Sequence, residues 1–420
     1  MISSLFAGIS GLNANATAMT VIGDNIANVN TIAYKSNSIS FANVLSTSLT
    51  GSDSSDIGRG VDVWDTSGAW TQGSLQSTGS ATDLSVNGIG FFIVRDDTGA
   101  DFYTRAGQFY LNELGDLVNP DGLHVMGYDI DPITGALGSL GEISIPGERV
   151  SPPQVTSEFT FDINLDAGAQ VGDTFAASQT VYDSLGNAIE LTLTFTNQAP
   201  GLWSCMASIP DSQGGAPVPP ALSNVQINGA DTINVQFDAS GNMIAPAGPG
   251  NPQLSINLIT GGTNPLVVDW NLYDAAGLNN GDLTGYANPS SITYQYQDGF
   301  PSGMLRGISV DEDGTVSASY SNGQLVPVYM LALADFPSYE GLDKMGGNLY
   351  AESLESGQAL PSTPGNGRLG SIVPSTIEMS NVDLSTEFVN MITVQRAFQA
   401  NSRVITTSDE ILAELINLKR

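Results

Sequence analysis

The chain has 420 residues, 41% of them hydrophobic, which is material for two to four domains with cores of their own. Forty-three acidic residues against 12 basic ones give a formal charge of −31, which argues against a nucleic-acid partner, because phosphate contacts need a basic patch. The single cysteine, Cys205, rules out an intrachain disulfide framework, and no apolar run reaches the ~20 residues of a membrane span.

In residues 1–30, Leu5, Leu12, Met19 and Ile26 recur at every seventh position, with Ile2, Ile9 and Ala16 at the alternate seam position. That spacing predicts an α-helix with one apolar stripe, the seam of a coiled coil. The Asn/Gly-rich run Gly23–Thr31 should end it. The segment lacks a basic n-region and an uninterrupted apolar stretch, so no cleaved general secretory signal is expected. Residues 31–70 read as an extended connector. Its first part is rich in Ser, Thr and Asn, with isolated Tyr34, Phe41 and Leu45, and is expected to lack fixed structure in a lone monomer.

Residues 71–145 read as an antiparallel meander, the first part of an inner β-domain. Asn87-Gly88 and Asn119-Pro120-Asp121-Gly122 mark turns around runs such as Phe91–Val94 and Leu123–Tyr128. Residues 146–285 read as an inserted outer β-domain, entered through Pro146 and Pro152-Pro153. Phe159, Phe161, Ile163 and Leu165 alternate there as on a half-buried strand, and further strands near 174–183, 187–197, 202–209, 231–237 and 254–259 imply a sandwich or barrel. The meander style returns over 286–365, with turns at Asp313-Gly314 and Asn322-Gly323 and a long run Val326–Ala334. Residues 335–380 look irregular, and 366–380 form a connector.

Residues 381–420 predict a second helix of roughly 50 Å. Leu384, Met391, Phe398, Ile405 and Leu412 form one seam; the other holds Phe388, then Gln395, Ser402 and Asp409, until Ile416. Asp383 caps the start, Glu387 lies in the first turn, and Lys419 and Arg420 suit the C-terminal end. A helix this long with a thin seam needs a partner, and the N-terminal helix offers a matching one; the alternative reading of the pattern is two unrelated amphipathic helices lying on a globular core. The expected fold is α+β, mainly β. Terminal helices form a coiled-coil-like axial core, and the antiparallel β-domains are nested, with a split inner domain and an inserted sandwich or barrel. Residues 1–60 and 381–420 each carry −1, leaving −29 for the middle, so the ends can crowd together while the middle faces solvent.

Little in the chain suggests catalysis. His124, the only histidine, falls in an expected strand, so a triad or His-rich metal site would rest on it alone. Asp311-Glu312-Asp313-Gly314-Thr315 resembles the start of a calcium loop but lacks the closing Glu, and reads as a hairpin turn. Asn87-Gly88-Ile89-Gly90 has neither the helix start nor the Lys of a phosphate loop. Cys205 reads as a core residue. No cofactor, metal or catalytic residue is expected.

Ser4-Leu5-Phe6-Ala7-Gly8-Ile9-Ser10-Gly11-Leu12, with Ile22–Asn28 and Asn30-Thr31, closely resembles the N-terminal signature of flagellar axial proteins, the rod, hook and hook-associated family. Ser380–Leu384, Met391-Ile392, Gln395–Ser402 and Asp409-Glu410 resemble its C-terminal signature. Asp83-Leu84, Gly90-Phe91-Phe92 and Thr104-Arg105-Ala106-Gly107 resemble the first shared β-domain. Asp24 stands where the family usually has Asn. The resemblance implies a structural subunit whose terminal helices line a helical tube. Leu5, Ile9, Leu12, Met19, Ile26, Leu384, Phe388, Met391, Phe398, Ile405 and Leu412 would form the axial interface between subunits. Gln395, Gln399, Asn401 and Ser402 would face neighbours or a wet lumen. The large insert points to the hook members rather than the smaller rod members. A distal-rod or junction role is the alternative within the family. A carbohydrate-binding or hydrolytic β-protein, which needs an aromatic platform or a carboxylate cleft, is the alternative outside it. Implied partners are further copies of the chain, the distal rod, hook-cap and hook–filament junction proteins, and the flagellar type III export apparatus, without membrane insertion. The implied place is the extracellular flagellum.

Overall fold

A computed structural model describes residues 2–44, 47–48, 56–57, 59–131, 134–145, 150–210, 224–246, 250–258, 263–274 and 277–417. The expected features at Leu45, Pro146, Lys419 and Arg420 lie outside the described residues. The chain divides into two compact units. Unit one is Met1–Gly147, Gly307–Ser319 and Leu325–Arg420; unit two is Glu148–Arg306 and Tyr320–Gln324.

Unit one carries both helices, α1 (Ile2–Ala27) and α2 (Leu384–Asn417). Several polar side chains of α1 bond back to their own helix. Asn15 donates to the Gly11 carbonyl at 2.6 Å, and Thr17 and Thr20 donate to the carbonyls of Asn13 and Ala16. Thus polar residues sit on this helix without breaking it. By length and composition alone, Ser4–Ala27 is apolar enough to cross a membrane, contrary to the expectation that no segment qualified. The reason is that its Gly, Ser, Thr and Asn interrupt every apolar run while Asp24 is its only charge.

After α1 the expected unstructured connector contains a hairpin. Asn37–Asn43 pairs antiparallel with Val61–Gly68, with a register shift at Ser40/Phe41. Backbone pairing forms a strand from a Ser/Asn-rich sequence here because Asn25, at the end of α1, holds its first residue (below). In the body of unit one, the strands run side by side in the order Thr315–Tyr320, Leu325–Leu331, His124–Ile130, Phe91–Arg95, Asp101–Thr104, Leu349–Ala351 and Asp343–Gly346. Their core gathers Phe91, Ile93, Tyr103, Met126, Phe336 and Tyr350, with Trp70 laid against Phe91, Tyr339 and Tyr350 at 5.2–5.8 Å between rings. Residues 335–380, expected to be irregular, contribute short strands. Ser371–Pro374 pairs with Leu84–Asn87, and Thr376–Glu378 with Leu75–Ser77. Brief strands of this kind leave little periodicity to read.

Unit two is a sandwich. One sheet orders Val225–Ile227, Gln253–Ile256, Leu266–Trp270, Glu158–Asn164 and Leu283–Thr284, and Ser291–Gln297 pairs on the free side of Glu158–Asn164. The insert's sheet therefore extends past residue 285. The other sheet is a meander of Thr174–Tyr182, Ala188–Ala199, Leu202–Ser208, Thr232–Phe237 and Met243–Ala245. Phe159, Phe161 and Ile163 from the first sheet meet Leu191, Leu193 and Phe195 from the second, all at most 2% exposed. Each such side chain contributes about 1.5–3 kcal/mol on burial. Trp270 stacks on Phe159 at 6.1 Å.

Candidate assembly site

The two helices lie against each other antiparallel. Asn25 near the end of α1 meets Glu387 in the first turn of α2, while Gly8 faces Val404 and Ile405. The face that α1 buries is a stripe of small residues: Gly8, Gly11, Ala14 and Ala18, continued by Ile22 and Asn25. A β-carbon at Gly11 would lie 2.8 Å from Asn401 Nδ2, and one at Gly8 3.1 Å from Ile405 Cγ1. Small residues thus allow the helices to approach closely, with larger ones forcing Asn401 and Ile405 to shift. Leu5, Leu12, Met19 and Ile26 flank this stripe, half-buried, and Ile9 is exposed.

On α2 the less exposed positions are Glu387, Met391, Val394, Ala397, Phe398, Asn401, Ser402, Ile405, Ser408 and Leu412, most of which fall on two seven-residue rows. One seam is thus Met391, Phe398, Ile405 and Leu412. The other is Glu387, Val394, Asn401 and Ser408, one residue ahead of the expected Phe388, Gln395, Ser402 and Asp409. Leu384 and Phe388 are exposed at 39% and 51%; Gln395 and Gln399 are exposed, and Ser402 is half-buried. Asn401 faces α1 through Gly11. The pair leaves Phe6, Val389, Ile392, Val404 and Ile411 exposed as well.

The start of α2 is capped as expected. Asp383 Oδ1 accepts from the Ser385 and Thr386 amides at 2.8 and 3.2 Å. The end of α1 is tied to the hairpin, where the Asn25 side chain accepts from the Asn37 amide (2.9 Å) and donates to the Asn37 carbonyl (2.8 Å), as a neighbouring strand would. Asp24, the departure from the family pattern, accepts from the Tyr34 hydroxyl at 3.1 Å. Burial, then the Asp24 charge, push the Tyr34 phenol up to about 12.

Between the segment that leaves α1 and the strand that precedes α2 lies a buried ion cluster. Lys35 Nζ donates to Glu378 Oε1 (2.6 Å) and to the Thr71 carbonyl (2.8 Å). Arg105 reaches Glu378 Oε2 at 3.4 Å, donates to the Gly88 carbonyl at 2.7 Å, and stands 5.4 Å over the Phe91 ring. The Gly73 amide donates to Glu378 as well. The Lys35 and Glu378 side chains are 3% and 0% exposed. Burial draws both the Lys35 and Arg105 cations below their usual pKa, opposed in each case by Glu378. Nearby, Asn381 accepts from the Ser36 amide and donates to the carbonyls of Ala69 and Thr71. The chain's exit from α1 and its entry to α2 are thus fixed to the same patch of the β-body. Gly107, in the motif that carries Arg105, is dictated by space: a β-carbon there would lie 1.7 Å from the Leu84 carbonyl oxygen.

Sequence reasoning missed Lys35, Glu378 and Asn25 as a site. Arg105 and Asn381 lay inside quoted motifs without a role. The available signal was a lone charge flanked by apolar residues, as in Ile377-Glu378-Met379. Elsewhere, His124 starts a strand with Nε2 3.5 Å from Asp97. Cys205 is buried, and burial pushes its thiol up. Asp311–Thr315 is a turn, closed by the Gly314 amide on the Asp311 carbonyl.

The chain is similar to known proteins over its whole length. Residues 5–35 match the family described as Flagella basal body rod protein, 85–166 the Flagellar hook protein FlgE/F/G D1 domain, 156–300 the Flagellar basal body protein FlaE D2 domain, and 373–418 the Flagellar basal body rod FlgEFG protein C-terminal. The chain is 32% identical to the flagellar hook protein FlgE of Treponema pallidum (strain Nichols) over the full length of both. It is 32% and 33% identical to those of Escherichia coli (strain K12) and Salmonella typhimurium (strain LT2), over 98% of each chain. Among solved structures, the Helicobacter pylori flagellar hook protein FlgE2 aligns at 16% identity with a TM-score of 0.48, covering 71% of this chain and 98% of that one.

Proposed function

The chain belongs to the flagellar hook protein family, and on that premise we propose that its copies polymerise into the tube of the bacterial hook, the flexible joint that passes torque from rod to filament. The role is structural and needs no catalytic residue. The helix pair forms the inner layer, and the β-units form the outer ones. Bending arises from small sliding shifts between the outer domains of neighbouring copies while the inner tube stays connected. In this reading Leu5, Ile9, Leu12, Met19, Ile26, Leu384, Phe388, Met391, Phe398, Ile405 and Leu412 supply the axial interface. Gln395, Gln399 and Ser402 face neighbours or the lumen. The subunit leaves through the flagellar type III apparatus without a cleaved signal and meets the distal rod, hook-cap and junction proteins at the ends of the polymer.

One observation supports this most. The helix pair exposes large apolar side chains in rows, among them Phe6 at 62%, Phe388 at 51% and Val389 at 63%. Exposed apolar rows of this size mark an association surface. Phe388→Asp tests it, because the residue is already half in water in the monomer. The variant should keep the monomer's unfolding midpoint and fail to form tubes at concentrations where the parent chain does, as seen by light scattering and negative-stain microscopy. Tubes formed at the parental concentration would remove Phe388 from the interface.

A further inference from the structure

We propose that Trp64 is the anchor by which the first hairpin of one copy docks on the outer row of α2 in a second copy. The inference rests on the self-assembly reading above and deepens it to a specific contact. Trp64 is 79% exposed, the most exposed aromatic side chain among the described residues. Its place in the strand explains why. Along Val61–Gly68, Val61 and Val63 are half-buried while Asp62 and Trp64 are exposed, as strand alternation requires. Ser40 pairs with Asp65 and Phe41 with Val63, so Trp64 is the extra residue of a bulge, opposite no partner. The bulge resets the alternation, and Asp65 is exposed as well. An indole is thus held in water between two carboxylates. The arm that carries it is fixed to α1 at both ends: the Val61 amide donates to Ser10 Oγ at 3.2 Å, and the Asn25 side chain holds Asn37. A large, stiff aromatic group on a pinned arm loses little freedom when it is covered, which is the property of an interface anchor.

The chemistry of the anchor selects its landing surface. An indole flanked by acids is matched by apolar side chains interleaved with guanidinium groups, which stack on the ring and pair with the carboxylates. On α2, Val389, Ile392, Arg396, Gln399 and Arg403 are all exposed, and at 3.6 residues per turn they fall in one row about 80° wide. Neither arginine belongs to an ion pair. This row continues the exposed apolar surface of the helix pair through Val389 and Ile392. It lies on the opposite side of α2 from Asn401, which faces α1. The hairpin is tied to α1, so Trp64 cannot reach this row in its own copy. A second copy can present it.

Tryptophan fluorescence of the full chain reads the contact directly. Trp203 and Trp270 are buried, and Trp70 is half-buried against Phe91, Tyr339 and Tyr350. In the monomer, acrylamide should quench one exposed component, which Trp64→Phe removes. On polymerisation of the parent chain that component should become protected and its emission should move to shorter wavelength. Trp64→Ser should raise the critical concentration about thirtyfold while leaving the monomer's unfolding midpoint in place. A Trp64 that stays quenchable in the polymer, or parental polymerisation by Trp64→Ser, would overturn the anchor while leaving self-assembly standing. Asp62→Asn combined with Asp65→Asn tests the landing surface by sign. Removing two acids from a chain of −31 eases self-repulsion and by itself lowers the critical concentration, whereas loss of the guanidinium contact raises it severalfold. Arg396→Gln with Arg403→Gln should match that rise, and the two pairs together should add nothing further. A fall with the acid pair, or effects that simply add, would overturn the landing on α2. Failure of the parent chain to polymerise at any concentration would overturn the assembly reading, and the anchor with it.

Discussion

The two units are held together by different means. In unit two, 14 acidic residues face two basic ones, Arg149 and Arg306, and no ion pair falls among its described residues. Its stability comes from one continuous apolar core in which strand alternation places each side chain. Among the described residues unit one contains the four lysine and arginine ion pairs, the small-residue helix seam and a core rich in tyrosine. A core made of volume tolerates repacking; a polar cluster fails when one member is lost. The unit that carries the assembly helices is thus the one whose geometry is specified by polar contacts, and the insert is the one specified by bulk.

Removing Glu378 should break this contrast most visibly. Glu378→Gln leaves Lys35 and Arg105 buried without their shared carboxylate, at a cost of about 3–5 kcal/mol. Calorimetry should show the transition of unit one falling while that of unit two, with its separate core, stays in place. Equal movement of both transitions would mean that the units unfold as one and that the distinction has no energetic content.

Alkaline pH sharpens the comparison. Tyr103 and Tyr350 lie in the core of unit one at 4% and 5% exposure, and burial pushes both phenols up to about 12 from 10.0. The folded state therefore keeps protons that the unfolded chain loses above pH 10. Their contribution is complete below pH 10 and shrinks as pH climbs towards 12, by about 1 kcal/mol for each at pH 11. Unit two has Tyr273 and the buried Cys205, both pushed up by burial. In a Cys205→Ala background its transition should fall less than that of unit one between pH 10 and 11. The opposite ranking would show that the tyrosine core is not what makes unit one alkali-sensitive.

The same division explains what could be read from the sequence. Phe159, Phe161 and Ile163 announce their strand, because alternation follows from burying one face. The helices were legible from their seven-residue spacing, yet the seam of α1 runs through Gly8, Gly11, Ala14 and Ala18, beside the Leu5–Leu12–Met19 row. Apolarity ranks leucine above glycine, whereas close helix contact selects for small volume. Lys35 and Glu378 are 343 positions apart, and nothing local to either reports the other. The hairpin Asn37–Asn43 with Val61–Gly68 was hidden because it is fixed by Asn25 and by pairing across residues that look like connector.

The smallest expected effect concerns the one part of the site read correctly from a local signal, the start of α2. Asp383 satisfies two amides that the first turn would otherwise leave open, and its charge lies at the positive end of a 34-residue helix. Asp383→Ala removes both contributions and should cost unit one about 1 kcal/mol. Asp383→Asn keeps the side-chain acceptor and loses only the charge, so it should cost a few tenths of a kcal/mol, and that part should vanish in salt. Asp383 is exposed, so neither variant leaves a cavity, and the difference between them isolates the helix-dipole contribution. Denaturant midpoints of unit one, measured at low and high salt, read the two contributions separately. An Asn variant as damaging as Ala would mean that the charge acts through a contact with the body of unit one. The start of α2 would then belong with the buried cluster below it, as a contact specified from far along the chain.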